Sequence, residues 1–119
     1  MALTRGISLP LHTAIQVIAG PAIMAVPFVL GFGEAATAIS VAIGLVVLTL
    51  ALQLENPRGA VPLSAHAELE YLVAFAAGIA GLTLAVATGA WAESVFLVGI
   101  GAAQVALTAS TRFIVARSA

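Results

Sequence analysis

Cysteine is absent from the 119 residues, so disulfides and thiolate metal sites are excluded outright. Charge is almost as scarce: four arginines, no lysine and five acidic residues give 8% charged and a net of −1. A soluble domain carries about a quarter charged residues, and a balance this close to zero offers no field for nucleic acid or an acidic substrate. Aromatics are 6% of the chain, with one Trp and one Tyr, which leaves Trp91 and Tyr71 as the only candidates for an interfacial belt. No nucleophile elbow, phosphate-cradling glycine loop, metalloprotease His pair or zinc spacing is found. The sequence therefore reads as non-enzymatic.

What is present is hydrocarbon, 62% of all residues. Between Arg5 and Glu34 lie 28 residues without formal charge, and 20 more follow from Ala35 to Leu54. After Glu70 come 22, to Ala92, and then 18 from Ser94 to Thr111. A bilayer core of ~30 Å is crossed by about 20 helical residues, so each run suffices for one span. The first run is too long for a signal peptide and contains Pro21 and Pro27, so it reads as a retained helix.

The predicted helices cover about 10–31, 35–53, 64–87 and 91–111. Ser8 is a suitable N-cap for the first, with Pro10 in the first turn, and Gly31-Phe32-Gly33-Glu34 and Thr88-Gly89-Ala90 are turns. The longest polar break, Leu54 to Pro62, divides the chain nearly in half. The halves echo one another, Leu9-Pro10-Leu11-His12 against Val61-Pro62-Leu63 with His66 following. This predicts an all-α membrane protein, one four-helix domain over 1–119. Two tandem helical hairpins, at about 9–54 and 61–115, are related by a pseudo-twofold along the membrane normal. Arg5, Arg58, Arg112 and Arg117 all fall at the termini or the central break, whereas the hairpin turns carry only Glu34 and Glu93. By the positive-inside rule both termini face the cytoplasm, placing the chain in a bacterial inner membrane.

Val26-Pro27-Phe28-Val29-Leu30-Gly31-Phe32 resembles the Ser-Pro-Trp signature of SPW-repeat membrane proteins. Pro27 and the Leu-Gly-Phe after it agree, while Val26 and Phe28 replace the Ser and Trp. The resemblance covers one hairpin. It implies paired membrane helices and brings no catalytic residue.

Candidate site residues are few. His12 and Gln16 repeat as His66 and Glu70, each pair four residues apart and so on one helix face. Facing imidazoles could ligate a haem b iron, with Gln16 and Glu70 beside them, which gives a haem- or quinone-binding electron-transfer bundle as an alternative function. Glu70 lies only a few residues inside its helix, however, and the preferred expectation is that both histidines line the cytoplasmic interface. Arg112 is expected to pair with Glu68 or Glu70. Gln104 is expected to bond across helices. Small residues recur every fourth position at Ser40/Gly44, Ala74/Gly78, Ala77/Gly81/Ala85 and Gly99/Ala103, faces along which helices pack closely in lipid. Their number suggests contacts between chains as well as within one. The role expected first is an oligomerising or accessory structural subunit, partnered by the bilayer and by copies of itself or a larger complex. A small solute transporter stands third.

Overall fold

The computed structural model describes residues 6–55 and 62–113. Arg5, Arg58 and Arg117 lie outside them. Four helices account for nearly all of the described chain: α1 (Leu9–Leu30), α2 (Glu34–Glu55), α3 (Leu63–Thr88) and α4 (Trp91–Ala109). Each is long and apolar enough to cross a membrane, which makes this a small multi-pass membrane protein. Large apolar side chains such as Ile18, Val29, Leu72, Phe75, Ile79 and Val86 face outward, the arrangement lipid rewards and water does not.

Local chemistry sets the helix ends. The Ser8 side chain accepts from the Leu11 N–H, and Pro10 occupies the first turn. Pro21 and Pro27 both lie within one continuous α1. That helix stops at Gly31, whose φ of 69° is the left-handed conformation only glycine adopts freely. Gly89 closes α3 in the same way, at φ 68°.

The packing is that of two hairpins. α1 lies along α2 and α3 along α4, with α2 against α3 as the main helix contact between the pairs. Inside the hairpins, backbones meet at glycines. A Cβ on Gly44 would lie 2.6 Å from the Gly20 carbonyl oxygen, and one on Gly101 would lie 2.6 Å from that of Ala74. Gly81 is similarly confined by Ser94 and Val98. These positions serve contacts within the chain. At Gly78 and Gly99, by contrast, an added Cβ would meet nothing within 4 Å.

The hairpins bury matching positions at a separation of 54 residues, the offset of Gln16 from Glu70. His12 and His66, Ser40 and Ser94, Ile43 and Leu97, and Val47 and Gly101 are all buried at that offset. The two seams between hairpins nevertheless differ, because α1 and α4 approach each other less closely than α2 and α3. The α1–α4 seam is closed at its two ends. At one end Ile7 pairs with the residues around Thr111, its N–H donating to the Ser110 carbonyl and its carbonyl accepting from the Arg112 N–H. At the other, the rings of Phe32 and Phe96 meet edge to face, 5.4 Å apart.

Candidate functional site: a buried carboxylate between two histidines

Glu70 lies seven residues into α3, which starts at Leu63, or ~10 Å along the axis. The expectation that these side chains face lipid headgroups or the central loop does not hold, because the bundle encloses them. Glu70, His66 and Gln16 are each 1% exposed and His12 is fully buried. The spacing that stacks His12 on Gln16 and His66 on Glu70 puts each pair on one helix face, and the packing of α1, α3 and α4 turns both faces inward, with Gln104 of α4 closing the group.

The carboxylate organises the cluster. Its Oε1 is 2.7 Å from His12 Nε2 and accepts N–H groups from Gln16 and, at 2.8 Å, from Gln104 of α4. Its Oε2 is 3.3 Å from His66 Nε2, within ion-pair reach. That approach does not meet hydrogen-bond geometry, and neither atom has a hydrogen-bond partner. His12 continues the network outward: its Nδ1 lies 2.7 Å from Thr111 Oγ1, whose hydroxyl donates to the Leu107 carbonyl. Because that hydroxyl proton is already committed, Thr111 accepts from His12 Nδ1–H. The remaining ring nitrogen and Glu70 Oε1 therefore hold one proton between them. The pair is imidazolium–carboxylate or imidazole–carboxylic acid according to where along the 2.7 Å line that proton sits.

Amide bookkeeping fixes what is left over. Gln16 Nε2 donates to Glu70 and to Gln104 Oε1 at 3.3 Å. Gln104 Nε2 donates to Glu70 and to Thr108 Oγ1 at 2.9 Å. All four amide hydrogens are thus consumed inside the cluster, whereas Gln16 Oε1 is buried without a partner.

Two sequence expectations change here. Glu70, one of the two carboxylates expected to pair with Arg112, is engaged by the two imidazoles; Glu68, the other, lies exposed, as Arg112 does. The haem alternative does not fit either. One carboxylate lies within 3.3 Å of both Nε2 atoms and occupies the space between the rings, where a shared iron would have to sit. Among the described residues, no group of three His, Cys, Asp or Glu is arranged to hold a metal ion. Two members of the network, Thr111 beside His12 and Thr108 beside Gln104, lie outside the residues expected to form a site. Their signal was nonetheless present, since Gln104, Thr108 and Thr111 recur at the spacing of one helix face.

Comparison with known protein families, with curated proteins and with solved structures returns no match to this chain. What the fold and the site define is a class, a small four-helix membrane protein with a buried Glu–His–His centre.

Proposed function

We propose that this chain is a non-enzymatic accessory subunit of a membrane assembly, and that Glu70 with its two histidines is a proton-holding centre within it. One observation carries the reading: an ionisable side chain is retained 1% exposed inside a membrane-length helix, paired with two imidazoles. A carboxylate within a span costs up to about 3 kcal/mol to insert, the value at the helix centre, and apolar residues of like volume would hold helices together at least as well. Retention therefore favours a use for the charge. The proton shared by His12 and Glu70 has His66 on its other side, and Thr111 leads from His12 toward the end of the bundle where Ile7 meets Ser110 and Arg112.

Partnership with a second copy or a larger complex is supported by α4, where Gly99 lies exposed and an added Cβ would meet nothing within 4 Å, an opening suited to close helix contact in lipid. The placement of the arginines supports cytoplasmic termini in a bacterial inner membrane. The partial SPW signature around Pro27 supports kinship with that family of paired membrane helices.

Infrared difference spectroscopy of the bilayer-reconstituted protein during pH titration tests the centre. Among the carboxylic acid C=O bands that appear and vanish reversibly, Glu70→Gln should remove one component and leave those of the other glutamates. A titration spectrum unchanged by Glu70→Gln defeats the proposal.

A further inference from the structure

The α1–α4 seam, closed at both ends, is open in its middle, where a cavity of about 250 Å³ is lined by Gln16, Ala19, Ile23, Ile100, Ala103 and Gln104, among others. Its walls are aliphatic and its floor is the two glutamines of the Glu70 network. The corresponding α2–α3 seam differs chemically as well as in width. At the offset of 54 residues set by Gln16 and Glu70, the position matching Gln104 is Leu50, which is buried and apolar. At this position, therefore, one seam of a repeated architecture carries an amide where the other carries an aliphatic side chain.

We propose that this groove is a lateral binding site for an uncharged, membrane-dissolved amphiphile bearing an O–H donor, of the phenol or hydroquinone class. The floor's chemistry sets the class. All four hydrogens of the Gln16 and Gln104 amides are spent on Glu70, Thr108 and each other. What remains is acceptor capacity: Gln16 Oε1 has no partner although the side chain is 1% exposed, and Gln104 Oε1 accepts a single bond at 3.3 Å. A buried amide oxygen left unpaired is costly, and an arriving O–H relieves that cost where a carbonyl or an ether cannot. A cationic head is disfavoured, because His12 and Glu70 together carry no net charge to offset its desolvation. The apolar body of the ligand lies between Ile23 and Ile100, with its tail free in the lipid. The site goes beyond the proton-holding role and does not depend on Glu70 changing its protonation.

The test uses full-length protein in lipid nanodiscs, with para-decylphenol and its methyl ether as probes. NMR follows the side-chain amides of Gln16 and Gln104. The phenol should shift both signals saturably. The ether, lacking the donor, should bind about tenfold more weakly, the loss expected for one neutral hydrogen bond. Ala103→Leu, at an exposed position on the groove wall, should abolish the phenol effect while leaving the His12 and His66 ring signals in place. Gln16→Leu should make phenol and ether equivalent. Equal binding of the two probes to the unaltered protein, no saturable shift, or an undiminished phenol effect in Ala103→Leu would each overturn the site.

Discussion

Glu70→Ala should destabilise the bundle by about 3–5 kcal/mol, the cost of removing one partner from a buried charged network. The loss exceeds that of a single bond. Oε1 is the common acceptor for His12, Gln16 and Gln104, so truncation strands donors from two other helices in the buried interior. Glu70→Gln keeps an acceptor oxygen in position and should lose less, about 1–2 kcal/mol. The two changes are compared by reversible unfolding in mixed micelles. An alanine variant within ~0.5 kcal/mol of the parent would mean that the carboxylate is solvated in the folded protein.

The second large effect is at the glycines, and it separates positions that look alike in sequence. Gly101→Val and Gly44→Val place side-chain atoms against backbone, with Ala74 O and Gly20 O each 2.6 Å from the new Cβ. Backbone cannot rotate aside, so each hairpin must part, at a cost of about 1–3 kcal/mol or more. Gly78→Ala and Gly99→Ala meet nothing within 4 Å, and should be neutral or gain up to about 1 kcal/mol from helix propensity. Thermal unfolding of the four variants gives the ranking. If Gly99→Leu leaves the fold intact but reduces crosslinked oligomer, the outward face of α4 is an intermolecular one. If all four glycines respond alike, the hairpin packing described above is wrong.

How much of this was legible beforehand depended on which physical signal each feature left. The four helices followed from uncharged runs of membrane length, and their ends from Ser8, Gly31 and Gly89, because capping and left-handed turns are local chemistry. The repeat was visible in His12/Gln16 and His66/Glu70. Burial of those side chains was misjudged, since distance from the helix start gives depth along the axis and says nothing about which way the face turns. Rotation is decided by the neighbours. Here α4 brings Gln104, Thr108 and Thr111 to the same level, and that set an acceptor-and-donor frame no single helix displays. Arg112 drew attention as a charge near two carboxylates, yet Glu70 was already committed to its histidines. The small-residue ladders marked close packing without saying whose helix comes close. Gly44 and Gly81 proved to be met within the chain, while Gly99 points outward.

The claim on which the rest stands is that His12 and Glu70 share a proton inside the membrane-spanning bundle. Solid-state NMR of the protein in lipid, with labelled histidine and glutamate, measures it directly. A strong dipolar contact should connect His12 Nε2 to the Glu70 carboxyl carbon, matching the 2.7 Å nitrogen–oxygen approach. The His12 Nδ1 proton should also be protected from exchange with water by Thr111. A His12 ring that exchanges freely and shows no contact to Glu70 would contradict the account.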